Sequence, residues 1–250
     1  MCPFSRSTLK ASSIGSWYRC GVRSRRSANC RSPPLALCAA LTLTVAYTIQ
    51  VTDNPTSGYR AFGRVNGVLA IPGAYAAIPA RRDGAWLMAA APNYGDIVLA
   101  EAAWFRVTIE TDEDLTLVAP GLCSTAPGAG AGRQRVTCVA GPIREFAVTA
   151  AGFSKVSASI RLAGGDVAIE SYATPGRMHG ATLAARMASD ALLAYERRFW
   201  AYPYRILKVF ESPTTEGGME YSMLAGVTAL SSSASRSVVT ASSGIAASRS

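Results

Sequence analysis

The residues best suited to chemistry stand together near the end of the chain, in the stretch TTEGGMEYSM from Thr214 to Met223. Glu220 offers a carboxylate, and Gly217 and Gly218 leave the backbone beside it bare. A protonated amine in a partly desolvated pocket needs a fixed carboxylate, because the two form charge-assisted hydrogen bonds. Glycines alongside let a second peptide backbone approach closely. Gly217, Gly218, Met219, Glu220 and Tyr221 are therefore the candidate substrate-binding residues, with Glu220 as the amine anchor. The competing reading makes Glu220 an exposed strand carboxylate and the glycines a bulge. No residue reads as catalytic. The single histidine, His179, falls in the loop-like TPGRMHG and reads as an ordinary surface histidine. After Glu220 there is no His, Glu, Asp or Cys, so no metal ligands are expected on this chain.

Other motifs carry less. PGAGAGRQR, residues 127–135, has glycines and arginines but lacks the lysine and hydroxyl of a phosphate loop, and reads as a hairpin loop. Asp112, Glu113 and Asp114 form an acidic turn of solvated carboxylates. The aromatic run YERRFWAYPY, 195–204, has helical spacing followed by a turn, which suits a core and domain-junction role. Cys123 and Cys138 flank the glycine-rich loop between two strand-like runs. A hairpin would bring them opposite each other as a disulfide; two unpaired thiols is the alternative. Cys2, Cys20, Cys30 and Cys38 match no zinc-ligand spacing.

The elements that must position Glu220 are legible from periodicity. In LTLTVAYTIQ, 41–50, Leu41, Leu43, Val45, Tyr47 and Ile49 alternate with polar or small residues, which predicts a strand. The same alternation runs through WFRVTIE, KVSASIRL and DVAIESY, with TDNPTSG, TDED, PGAGAG and AGGD as turns between runs. The pattern predicts a mainly β fold: a β-sandwich or saddle-like N-terminal domain over 39–172. From Ala173 the period changes. Ala184, Met187, Ala188, Ala191, Leu192, Tyr195 and Phe199 predict a helix over 181–199, and YPYRILKVFESP then predicts a turn and a strand. Residues 173–228 thus open a second, α+β domain that carries the motif. Residues 229–250 are rich in Ser and Ala, with no acidic or aromatic side chain, and are expected to be disordered.

Composition bounds the partners. The chain of 250 residues is 49% hydrophobic and 16% charged, which is globular. Its net charge of +9 is concentrated: residues 1–50 hold seven of the 25 Lys and Arg and no acid, leaving 18 basic against 16 acidic side chains elsewhere. A nucleic-acid groove needs its basic residues clustered on a folded face, so no nucleic-acid partner is expected. The Ser-, Arg- and Cys-rich segment 1–38 leads into LALCAALTLTVAYTI, 35–49. That run falls short of the roughly twenty residues that span a bilayer. Export, a membrane anchor and a simple strand stay open, and localisation is not legible.

One family resemblance stands out. From about Gly58 to Val227, and most specifically in YPYRILKVFESPTTEGGMEY, the chain resembles the membrane alanyl aminopeptidase (gluzincin) family, zinc enzymes that remove N-terminal residues from peptides. The resemblance covers the N-terminal β domain and the start of the catalytic domain. It implies that Glu220 receives the free α-amino group and that the glycine-rich backbone pairs with the substrate as an extra strand. The family's usual wording at this point is Gly-x-Met-Glu-Asn, and Tyr221 departs from it. The resemblance also implies zinc in the intact enzyme, held by H-E-x-x-H and a further glutamate. Those residues do not follow here. A fragment truncated or frame-shifted before the zinc motif, inactive as written, is one expectation; a non-catalytic β-sandwich binding protein is the alternative.

Overall fold

The computed structural model describes residues 16–18, 41–43, 45–55, 62–77, 79–87, 101–214 and 217–228. The tail 229–250 and nearly all of 1–38 lie outside them. The chain forms two compact units, 1–49 and 50–250. In the first, β1 (Ser16–Tyr18) pairs in parallel with β2 (Leu41–Leu43). The strand predicted over 41–50 is therefore shorter than expected: 45–50 still alternate between half-buried and exposed, but they are irregular. Alternation marks two faces; a strand also needs a neighbour to complete its ladder, and among the described residues the pairing with β1 runs from Leu41 to Leu43.

The second unit is mainly β. It begins with two small hairpins, β3 (Gly63–Val65) with β4 (Val68–Ala70), and β5 (Arg81–Arg82) with β6 (Ala85–Trp86). Their two-residue turns are Asn66-Gly67 and Asp83-Gly84, and all four residues have φ between 50° and 80°. That is the primed-turn conformation whose twist matches the strands. Next come β7 (Ala103–Asp112), β8 (Thr116–Val118), β9 (Leu122–Pro127), β10 (Arg133–Ile143) and β11 (Thr149–Ala151). One sheet runs β7-β10-β9, another β3-β4-β11-β8. As predicted, PGAGAG closes the β9–β10 hairpin, where Arg133 pairs with Asp112 and Arg135 with Glu110 across to β7.

The third sheet holds the motif. It comprises β12 (Ser154–Leu162), β13 (Gly165–Ala173), β14 (Ile206–Ser212), β15 (Gly218–Tyr221) and β16 (Leu224–Thr228), in the order β12-β13-β14-β16-β15. The central pairs are parallel and the outer pairs antiparallel. Parallel neighbours need a crossover, and α1 (Met178–Arg198) provides it between β13 and β14. Ala173, where the two expected domains meet, is the last residue of β13, so that division runs through this sheet.

Strand period two assigns the sheet two different partners. On one face Val209 and Val227 pack with Ala173, Ala181 and Ala184, while Val167 and Ile169 pack with Ala185 and Leu192, under α1. On the other, Phe210, Leu224 and Tyr172 meet Val68, Val118, Ala147, Ala151 and Phe153, and Ile206 and Met223 join Val136, Cys138, Ile143 and Phe146. The helix starts earlier than predicted and takes His179 into its first turn, exposed, rather than leaving it in a loop. Ala181 and Ala185 are buried, whereas Phe199, expected on the buried stripe, is 59% exposed and Trp200 71%. The core role expected for the aromatic run thus fails at Phe199 and Trp200. The helix ends at Arg198, so these two rings leave its apolar face. Tyr202 and Tyr204 remain half-buried, with hydroxyls donating to Ile206 O and Pro142 O.

A candidate amine-binding edge strand

β15 carries the five candidate residues and forms one edge of the five-stranded sheet. It pairs with β16 through Gly218↔Val227, Met219↔Gly226, Glu220↔Ala225 and Tyr221↔Leu224. Gly217 extends the pairing, its carbonyl accepting from Thr228 N–H at 2.9 Å, and it sits at φ 64°. A left-handed residue at the entry to a strand favours glycine, so Gly217 shapes the approach to the motif. Gly226, opposite Met219, is also constrained: a Cβ there would stand 2.8 Å from Phe210 Cζ.

Register divides the motif between the two faces. Tyr221 lies beside Leu224 and packs on the cluster containing Phe210 and Val118. Glu220 points to the opposite face, the one that α1 covers farther along the sheet, over β12, β13 and β14. There Glu220 is exposed, while Gly217, Gly218, Met219 and Tyr221 are half-buried. The strand thus turns its carboxylate outward and its aromatic ring into the core.

The turn between β15 and β16 is held from behind. Met223 takes φ 63°, an uncommon conformation for a residue with a side chain. Three contacts stabilise it. The Met223 side chain is buried, at 8% exposure. Its carbonyl accepts from Lys208 N–H at 3.0 Å. Beside it, Ser222 donates its backbone N–H and its hydroxyl to one oxygen of Glu145, at 2.5 and 2.8 Å. Glu145 lies in the loop after β10, 77 residues upstream. Nothing in IREF, 143–146, marks it as a site residue, and only the fold brings it to the hairpin.

The five-stranded sheet also carries a buried polar group. Lys208, on β14, is 3% exposed and points to the same face as Ile206 and Phe210. Its Nζ donates to Ala119 O at 2.8 Å and to Cys123 Sγ at 3.4 Å. Burial brings its pKa down to about 8, against the opposing charge of Glu170 and with the added repulsion of Lys155. Glu170 accepts from Lys155 Nζ at 2.8 Å and from Tyr172 OH at 2.7 Å. Burial works against its ionisation, but those hydrogen bonds and the charges of Lys155 and Lys208 outweigh it and hold its pKa below the usual value. Burial and the neighbouring Glu170 carboxylate raise the Tyr172 phenol in turn.

Among the described residues no group of three or more His, Cys, Asp or Glu is placed to hold a metal ion. His179 stands at the start of α1, and no second histidine exists to join it. Among the described residues, too, no helix is long and apolar enough to cross a membrane.

The arrangement of sheets and crossover helix has known counterparts. Aminopeptidase A of Legionella pneumophila, solved in complex with aspartic acid, superposes with a TM-score of 0.54 at 18% identity, over 74% of this chain and 21% of its own. The likeness is one of fold. Two M1 zinc metallopeptidase structures also match, each with a TM-score of 0.48 at 18% identity, over 57% of this chain and 34% of theirs. One is a two-domain enzyme variant bound to L-arginine; the other, from Deinococcus radiodurans, is bound to a Tyr-Ser-Ala substrate. The chain therefore spans between a fifth and about a third of the length of the structures it resembles. No protein-family model matches it, and no curated protein does.

Proposed function

We propose that the β15–β16 hairpin is the amine-recognition part of an aminopeptidase-like site. Glu220 holds the protonated N-terminus of a peptide, and the edge of β15 at Gly217 to Met219 receives the peptide backbone. The observation that carries this reading is the exposed Glu220 on an edge strand whose turn is anchored by Glu145. An edge strand presents backbone N–H and C=O groups to an added strand. A carboxylate on the same strand then selects for a positive charge at the end of that added strand. Tyr221, which departs from the asparagine of the family it resembles, belongs to the core side of the strand and leaves the amine contact to Glu220.

The chain carries no H-E-x-x-H, and we expect it to bind peptide N-termini without cleaving them. The test is a titration of the isotope-labelled chain with a short peptide carrying a free N-terminus, and with its N-acetylated form. The amine reading expects resonances of 217–221 to move with the free peptide and not with the acetylated one. Glu220→Gln should abolish the response. Equal responses to both peptides would instead favour the alternative, a β-rich binding module that pairs with backbone and ignores the amine. Chelator-sensitive release of an N-terminal residue by the purified chain would overturn the expectation of no turnover.

A further inference from the structure

Cys123 and Cys138 form a disulfide that joins β9 to β10 directly across the hairpin. Its two residues differ in exposure. Cys138 is fully buried in the core cluster with Val136 and Ile143, whereas Cys123, on the edge strand β9, is exposed. Beneath Cys123 lies the ammonium of Lys208, otherwise held by a single backbone carbonyl. Nothing in the amine-recognition reading uses this group.

We propose that Cys123–Cys138 is a thiol–disulfide exchange site, opened by an external dithiol, in which Lys208 holds the released Cys123 as a thiolate. Accessibility fixes the direction of attack. Cys123 is the exposed residue of the pair, so a thiolate of the dithiol attacks its sulfur, and the bond to Cys138 breaks. Cys138 leaves with the electron pair and takes up a proton, since a buried sulfur among apolar side chains favours the neutral thiol. The second thiolate of the reagent then attacks the mixed disulfide. Cys123 departs as a thiolate, and the dithiol is oxidised to its own disulfide as the protein takes up the two electrons.

Lys208 gains from that step. A buried ammonium is costly without an anionic partner. While the disulfide is intact, Cys123 offers it only a weak sulfur acceptor; after reduction it offers a negative charge at the same place. Interactions that stabilise the reduced thiolate make a disulfide easier to reduce. The remaining charged or titratable neighbours are Glu170 and Tyr172 on β13 and Lys155 on β12. Glu170 is already engaged by Lys155 and Tyr172, so it does not take over the role of the thiolate. Lys208 and Cys123 would titrate as a coupled pair, with the thiolate form persisting below the usual thiol range.

The experiment is native reduction of the folded chain with dithiothreitol, followed by brief iodoacetamide pulses from pH 6 to pH 9. Trypsin places the two cysteines in separate peptides, Val107–Arg133 and Val136–Arg144, so mass spectrometry reads each one. The expected result is reduction without denaturant, with Cys138 protected. Cys123 should be alkylated at pH 7 about threefold faster than in the urea-unfolded chain, because its thiolate persists below the ordinary thiol range while a lower-pKa thiolate is a somewhat weaker nucleophile. Lys208→Met should move the Cys123 profile back up to the ordinary thiol curve. If that variant does not fold, the wild-type profile against its own unfolded control decides. A disulfide that resists native reduction, or a Cys123 profile that matches the unfolded control, overturns the proposal.

Discussion

The two sides of the β15–β16 hairpin are built differently. The side facing Val118 and Phe153 is dense: Leu224 is fully buried, Met223 nearly so, Tyr221 packs on the Phe210 cluster, and Glu145 grips Ser222. The other side presents Glu220 to solvent. A binding strand profits from this asymmetry. Its backbone must be fixed before a ligand arrives, or the ligand bears the entropy of ordering it, and its recognising group must stay accessible. The difference teaches that the hairpin's stability and its proposed recognition reside in different residues.

The sharpest way to break the dense side is Leu224→Ala. Leu224 belongs to the buried cluster with Val118, Phe153 and Phe210 and has no exposed surface. Deleting a buried leucine side chain usually costs about 2–5 kcal/mol, from lost burial plus the cavity left behind. The urea midpoint should fall by a corresponding amount, and amine recognition should weaken with it because β15 loses its support.

Next in size is Glu145→Gln. The amide keeps the length of the side chain but gives up the charge, leaving Ser222 N–H with a weaker acceptor. Hydrogen bonds to charged groups contribute roughly 1.5–3 kcal/mol, so a loss of about 1–2 kcal/mol is expected. Urea unfolding reads that loss. Faster hydrogen exchange in β15, out of proportion to the rest of the sheet, would show that Glu145 acts on the hairpin itself.

The buried lysine sharpens the comparison through pH. Burial holds the folded pKa of Lys208 down to about 8, against an ordinary value of 10.5. Its folded pKa is depressed, so between these values the unfolded chain binds more protons than the folded one, and stability rises with pH. Below about pH 8 the ammonium carries its full burial cost. The gain from pH 8 to pH 10 should be on the order of 1–2 kcal/mol, measured with the disulfide intact and the other thiols alkylated. Above pH 10 the trend reverses, because burial raises the phenols of Tyr172 and Tyr202 and the unfolded chain ionises its tyrosines first. Lys208→Met should flatten the rise. An unchanged slope in that variant would place the effect elsewhere.

Much of this architecture can be read directly from residue order. Period-two runs located β7, β12 and β13 to within a residue or two, because each buries one face against a core. The hairpin across PGAGAG followed from its glycines, and the pairing of Cys123 with Cys138 was one of its two open outcomes. What could not be read was long-range. Glu145 meets Ser222, and Lys208 meets Ala119, across 77 and 89 residues, and no local pattern encodes either contact. The role of β12 and β13 in the motif's own sheet was hidden for the same reason, since α1 separates them from β14 in the chain. The turns at Asn66-Gly67 and Asp83-Gly84 were missed: such dipeptides favour hairpins, but the strands beside them are too short to show a period.

The smallest expected change in stability comes from Glu220→Gln, and it tests the comparison most directly. Glu220 is exposed on β15, and substitutions at exposed positions usually cost less than those in the core. Urea unfolding of this variant should therefore overlay the wild type, while the response to a peptide N-terminus disappears. Glu145→Gln should do the reverse in part, lowering stability while leaving a weakened but amine-selective response. If Glu220→Gln destabilised the chain as much as Glu145→Gln, Glu220 would be a structural residue of the hairpin, and the division between a fixed back and a recognising front would not hold. If stability is unchanged and recognition is lost, the carboxylate is kept on that strand for a ligand, since the fold does not need it.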